Sequence, residues 1–191
     1  MQPANPFTWA SGWKSPIYCD NRITLSHPTI RTYIRQQLTQ VIQEKFGAVG
    51  CIAGVATAGI PQGTLVAQEL GLPFIYVRAK AKEHGTGSLI EGDILTGKRV
   101  VVIEDLISTG NSSLQAVTAL RDAGYDVAGL AAIFTYGFDV ATESFKKANC
   151  PFVTLSNYTA LINYAEEHQY ILPDDVDILK KWRKDPAGWG Q

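Results

Sequence analysis

The chain has 191 residues, 46% hydrophobic, 18% charged and 10% aromatic, and its 17 Lys+Arg against 18 Asp+Glu leave a net charge of -1. Such a composition can bury a core, which excludes disordered and fibrous classes, and the length suits one domain or one domain with a small appendage. The balanced charge lacks the basic footprint of a duplex-binding protein, so no nucleic-acid partner is expected and any attraction to phosphate must be local.

In chain order, residues 1–26 are rich in Pro, Ser, Gly and aromatics and read as a loop-rich cap. The opening MQPANPFTWASGWKSP has no basic region followed by an apolar one, so no signal peptide is expected. No apolar run approaches the roughly 18 residues that a bilayer span needs, so no membrane partner is expected either. Cys19, Cys51 and Cys150 are scattered and form neither a CxxC nor a zinc spacing. They predict reduced thiols in a cytoplasmic protein. From Pro28 to Phe46, Ile30, Ile34, Leu38, Val41 and Ile42 recur at helical spacing, and Gly47 ends the run.

A β-then-α pattern follows. Val49–Ala56 predicts a strand, residues 59–70 a helix punctuated by Gly71, and Phe74–Val77 another strand. Residues 79–97 are polar and Gly-rich. Val100–Ile103 predicts a strand covered on both faces, 112–123 a helix, Val127–Phe134 a strand, Val140–Ala148 a helix and Phe152–Leu155 a last strand. The tail from Asn157 to Lys184 reads as helical, with a break at Pro173. The expected class is α/β, a parallel sheet flanked by helices behind a small N-terminal hood. The expected division is a hood and helix over 1–46 and an α/β core with a helical tail over 47–191, a single domain overall. Ligands of such sheets sit beyond the carboxyl ends of the strands.

At one such end the strand Val100–Ile103 runs into Glu104-Asp105, then Leu106-Ile107-Ser108-Thr109-Gly110-Asn111-Ser112-Ser113, then a helix. Two adjacent carboxylates can accept hydrogen bonds from a vicinal diol. A loop of small residues at a helix N-terminus exposes backbone N–H groups at the positive end of the helix dipole. With the hydroxyls of Ser108, Thr109, Ser112 and Ser113, those groups predict a phosphate cradle, and Gly110 permits close approach or positive φ. Any one of these features alone could be an acidic loop before an ordinary Ser/Asn cap. Together they describe a site for ribose 5-phosphate. There is no GxxxxGK[ST] and no GxGxxG after a strand, so P-loop and nicotinamide readings lack support.

The string VVVIEDLISTGNSS resembles the phosphoribosyl pyrophosphate (PRPP) motif of the type I phosphoribosyltransferases. The resemblance implies that Glu104 and Asp105 hold the ribose hydroxyls, with Glu in place of the commoner Asp at the first acid. It implies that the loop Leu106, Ile107, Ser108, Thr109, Gly110, Asn111 and Ser112 holds the 5′-phosphate. Arg78, Lys82 and His84 match the spacing of the orotate phosphoribosyltransferase loop that contacts PRPP and reaches the neighbouring subunit. A homodimer sharing its Arg78–His84 loop is thereby implied. The segment FTWASGWKSPIY resembles the same family's base-binding hood. There Lys14 or Arg22 supplies the positive charge for orotate, with Ser108 touching the base. Ala10, Ala58 and Ala79 stand where members carry Lys, and Tyr136 falls near a position where some use Arg for the base.

What the resemblance implies, then, is a cytoplasmic enzyme of pyrimidine biosynthesis that joins PRPP and orotate. Lys82, His84 and Asp105 are its implied catalytic residues. Its implied cofactor is Mg²⁺, held mainly by PRPP rather than by protein ligands. A purine phosphoribosyltransferase shares the acid loop with a different hood, and a PRPP-sensing regulator could keep the fold without catalysis.

Overall fold

The structure, a computed structural model, describes residues 1, 5–9, 12–80 and 88–189. Contacts divide the chain into two units, Met1–Asp20 with Ser156–Gln191, and Asn21–Leu155. Where the sequence suggests a boundary after residue 46, contacts instead group the first long helix with the sheet and the tail with the N-terminal segment.

The N-terminal segment opens with two short strands, β1 (Phe7–Thr8) and β2 (Lys14–Ser15), antiparallel with Phe7 opposite Ser15. The larger unit begins with a 3-10 turn, Asn21–Ser26, and α1 (Pro28–Phe46). It continues through β3 (Cys51–Val55), α2 (Gly59–Leu70), β4 (Phe74–Val77), β5 (Ile90–Glu91), β6 (Arg99–Ile107), α3 (Asn111–Asp122), β7 (Asp126–Thr135), α4 (Asp139–Lys147) and β8 (Phe152–Asn157).

Six strands form one sheet in the order β5-β4-β3-β6-β7-β8. β3 pairs parallel with β4 and with β6, and β6 pairs parallel with β7. The edge strand β5 runs antiparallel to β4. It lies inside the polar stretch 79–97, where two residues are too few to show a strand period.

Side chains of one strand alternate between faces, so the sheet has two separate cores. Ile52, Val101, Ile103, Ala131 and Ile133 pack with Ile34, Leu38 and Ile42 of α1 and Val66 of α2. Cys51, Ala53, Val100, Val102, Leu130 and Ala132 pack with Val117 and Leu120 of α3 and Phe145 of α4. Both faces are covered, which is why these strands read as unbroken apolar runs. Burial pushes the Cys51 thiol up to about 11, so it behaves as a small core hydrophobe. No helix among the described residues is long and apolar enough to cross a membrane.

Chain order starts in the middle of this sheet. β3 leads outward to β4 and β5, and β6 then returns to the other side of β3 and leads outward to β7 and β8. The β3/β6 junction is therefore the topological switch point, where a crevice opens beyond the strand ends. β3 pairs with β6 only as far as Gly54 opposite Ile103. β6 continues to Ile107 beside β7, with Glu104 opposite Ala132 and Ile107 opposite Thr135. The acid pair therefore lies inside a nine-residue strand, whose end is four residues beyond the expected one.

Helix α2 starts against that exposed edge. A Cβ on Gly59 would run into the Ile103 carbonyl oxygen and come within 3.4 Å of Glu104 Cα. Gly59→Ala should destabilise the fold by about 1–3 kcal/mol through overpacking against backbone that cannot yield. Thermal denaturation should show a midpoint lowered by about 3–10 °C. An unchanged midpoint would mean that α2 does not sit this close.

In the smaller unit, α5 (Tyr158–Glu167) and α6 (Pro173–Lys184) follow β8. Asn157 caps α5 by accepting from Ala160 N–H, and Pro173 opens α6 at a position where no N–H is needed. Trp182 is fully buried and donates its indole N–H to the Lys14 carbonyl at 3.0 Å. It packs edge-on to Trp9 and against Tyr158, whose hydroxyl donates to the Leu179 carbonyl. Trp182 is thus a packing residue, as its place in a helical tail suggests.

Candidate active site

Three loops meet around the switch point of the larger unit. The Ala56–Thr57 loop, whose peptide is cis, leaves β3. Residues 78–80 leave β4, and residues 108–110 leave β6. A hollow of about 50 Å³ between them is lined by Ala56, Arg78, Leu89, Ser112 and Gln115, among others. The structure thus brings Arg78 and Ser112, which are 34 residues apart in sequence, to one cavity.

The residues expected in a phosphate cradle lie at the turn from β6 into α3. Gly110 caps α3 in the left-handed conformation, φ +83°, and a Cβ there would lie 2.8 Å from Phe145 Cε2. Glycine satisfies both demands at once. Because the cap has no side chain, no side-chain oxygen takes the first-turn N–H groups of α3. Those donors and the dipole face the loop where an anion is wanted. Ser108 and Thr109 are half-buried on the loop, and Asn111 and Ser112 are exposed at the helix start.

Ser113 is bonded elsewhere. It is 1% exposed, and its hydroxyl donates to Glu104 Oε2 at 3.1 Å, so the proton that the cradle would use goes to the acid instead. Leu106 and Ile107 also differ from expectation. Ile107 is wholly buried in the core, and its carbonyl accepts from Tyr136 N–H and the Thr135 hydroxyl. Leu106 stands opposite Phe134 in the sheet. Their side chains aim the loop.

The acid pair divides in two. Asp105 is half-buried, and its main-chain carbonyl accepts from Asn21 Nδ2 at 2.8 Å. Glu104 is 5% exposed and turned inward, with Oε1 accepting from Asp105 N–H at 3.0 Å and Oε2 from Ser113. Burial first, and the adjacent Asp105 carboxylate second, push the Glu104 carboxyl well above the usual carboxylate range. The Asp105 N–H and the Ser113 hydroxyl act in the opposite sense by stabilising the anion.

Arg78 sits just past β4, where its backbone N–H donates to the Leu89 carbonyl and its guanidinium meets Glu91 Oε1 at 3.5 Å. Lys82 and His84 lie outside the described residues. Lys14 belongs to the smaller unit, where its ammonium donates to Thr8 Oγ1 at 2.8 Å. Arg22 belongs to the 3-10 turn of the larger unit. Tyr136 is 2% exposed, stacked on Phe138 and edge-on to Phe134, so it serves the core.

Sequence reasoning missed Asn21, Glu91 and the true partner of Ser113. Asn21 and Asp105 are 84 positions apart, and no local pattern connects them.

A model of the phosphoribosyl transferase domain matches residues 24–168. The orotate phosphoribosyltransferase of Phocaeicola vulgatus is 59% identical over 99% of this chain and 89% of its own length. The chain belongs to the orotate phosphoribosyltransferase family. Solved members of the orotate phosphoribosyltransferase family share the fold. The Aeropyrum pernix protein aligns with a TM-score of 0.77 at 29% identity, covering 87% of this chain and 92% of that one. The Mycobacterium tuberculosis protein in complex with PRPP aligns with a TM-score of 0.63 at 26% identity, covering 75% and 82%. The fold is that of the type I phosphoribosyltransferases, with parallel strands flanked by helices and an antiparallel edge.

Proposed function

We propose that the chain transfers ribose 5-phosphate from PRPP to N1 of orotate, giving orotidine 5′-monophosphate and pyrophosphate in cytoplasmic pyrimidine biosynthesis. The observation that bears most weight is the continuous run from Asp105 to the glycine-capped N-terminus of α3, whose Ser112 lines one hollow with Arg78. Acceptors for a diol, donors for a monophosphate and a cation for a pyrophosphate are the three kinds of group that PRPP requires.

Asp105 and Glu104 accept from the ribose hydroxyls, and the first-turn N–H groups of α3 hold the 5′-phosphate. Substitution at the anomeric carbon passes through a cationic, oxocarbenium-like state. The charge of orotate is on its carboxylate, and its acidic N1 proton leaves to solvent as the N1–C1′ bond forms and the bond to pyrophosphate breaks, so the protein needs little base catalysis. Its task is to orient the two reactants and to stabilise the departing pyrophosphate with Arg78, Lys82 and His84. His84 can in addition protonate the leaving group. Lys14 or Arg22 pairs with the orotate carboxylate, and Ser108 touches the base.

The described residues include no group of three or more His, Cys, Asp or Glu able to hold a metal. The donor set at the site is the Glu104–Asp105 pair, which suits Mg²⁺ arriving on a pyrophosphate and keeping waters rather than a protein cage. Bound there, Mg²⁺ supplies charge neutralisation on the pyrophosphate oxygens. The reading includes a homodimer that shares its Arg78–His84 loop, with Arg78 at the hollow of its own subunit and Lys82 and His84 reaching the neighbouring one.

The test is orotate consumption, followed by ultraviolet absorbance with PRPP and Mg²⁺, against adenine, guanine and xanthine. Only orotate should be consumed. Lys82→Ala should lower kcat about 100-fold or more, the usual cost of removing one transition-state donor, with the KM for orotate changed little. PRPP binding without turnover of any base would turn the reading to a PRPP-sensing regulator, and purine turnover would turn it to a purine enzyme.

A further inference from the structure

We propose that Ser113 is a positioning residue, whose hydroxyl sets the Glu104 carboxylate to accept from a ribose diol. The inference rests on the reading that this site takes a ribose 5-phosphate group. The Ser113 hydroxyl has one proton, and that proton lies on Glu104 Oε2 at 3.1 Å. Both residues are shielded from water, at 1% and 5% exposure, so no solvent competes for the bond. The other oxygen, Oε1, is held at 3.0 Å by the N–H of Asp105. With both ends anchored, the carboxylate cannot rotate, although glutamate has one more rotatable bond than aspartate would have.

Anchoring leaves the acceptor capacity intact. A carboxylate offers about four lone-pair sites. The Asp105 N–H and the Ser113 hydroxyl fill two of them, the Asp105 side chain is hydrogen-bonded there as well, and a site remains for a hydroxyl donor. Ser113 also lies on the first turn of α3, the turn whose N–H groups face the phosphate loop. The sugar acceptor on β6 and the phosphate donors on α3 are thus tied to each other by one side-chain bond across nine positions of sequence.

Two probes separate this role from a phosphate contact or a general packing role. Calorimetric titration of the full chain with ribose 5-phosphate should show Ser113→Ala weakening affinity about tenfold, the effect of losing one hydrogen bond to a charged group. Inorganic phosphate, competing for the same loop, should bind within about twofold of the unaltered protein, and Ser113→Thr should restore ribose 5-phosphate affinity. If Ser113→Ala does not fold, Ser113→Cys keeps the volume with a weaker donor and is read in the same way. Equal losses for both ligands, or no loss for ribose 5-phosphate, would overturn the role. The orotate assay on the unaltered protein is independent of this comparison, so failure of one does not imply failure of the other.

Discussion

Asp105→Asn should weaken PRPP binding about ten- to a hundredfold, with little change in thermal stability. A ribose diol donates two protons, and an anionic acceptor holds them more strongly than a neutral amide does. Two structural duties of Asp105 belong to its backbone. Its carbonyl accepts from Asn21 and its N–H donates to Glu104, and neither changes with the side chain. Its side chain also meets the Glu104 carboxyl in a hydrogen bond, which an amide can make in its place, and the substitution removes the charge that repels the Glu104 carboxylate. Titration with PRPP and Mg²⁺, beside a thermal melt, checks both halves. Unchanged PRPP affinity would remove Asp105 from the diol site.

Glu104→Gln should do the reverse for stability, raising the melting temperature of the ligand-free protein at pH 8 while weakening PRPP binding. The folded-state carboxyl is pushed well above its ordinary range by burial and by Asp105. Between the unfolded value near 4.3 and that raised value, the folded protein binds a proton that the unfolded chain has released. Stability present at low pH is therefore lost as pH rises through this window. Glutamine does not titrate. Its carbonyl can accept from the Asp105 N–H while its amide donates to the Ser113 hydroxyl, so the buried partners stay satisfied. The variant should melt at least about 3 °C higher at pH 8, roughly one kcal/mol for a chain of this size, with the difference vanishing towards pH 4. A variant that melts lower at every pH would show that the fold is stabilised by the charge. The expected trade, a binding group that costs stability, is what an active site accepts when it buries an acid before its ligand arrives.

The site was most legible where its parts are close in sequence. VVVIEDLISTGNSS places a buried strand, two acids, a glycine and a helix start within fourteen residues, and each of these is a local preference of the backbone. The bounds of α2 were legible for the same reason, since Gly71 ends it in the left-handed conformation. The length of β6 was not legible. Glu104-Asp105 looks like a strand end, and only pairing with β7 as far as Thr135 extends the strand to Ile107. Ser113 looks like one more hydroxyl of the cradle because its neighbour Ser112 is one. Which of two adjacent serines faces the acid depends on how α3 is turned against the sheet, and Ser112 is exposed where Ser113 is buried.

The amino-acid order alone settles the chemistry on offer: balanced total charge, acids grouped at residues 104–105, a glycine-led anion loop and cations grouped at 78–84. Those features are local, and local propensity with short-range periodicity is enough to read them. The tertiary structure alone decided which groups meet. It set Asn21 on Asp105, Ser113 on Glu104 and Glu91 on Arg78. It also grouped the tail with the N-terminal strands, through a tryptophan that bonds a carbonyl 168 positions away. Contacts of that kind arise from the order of strands in the sheet and the burial of helix faces. They depend on the whole chain being packed, so no window of sequence contains them.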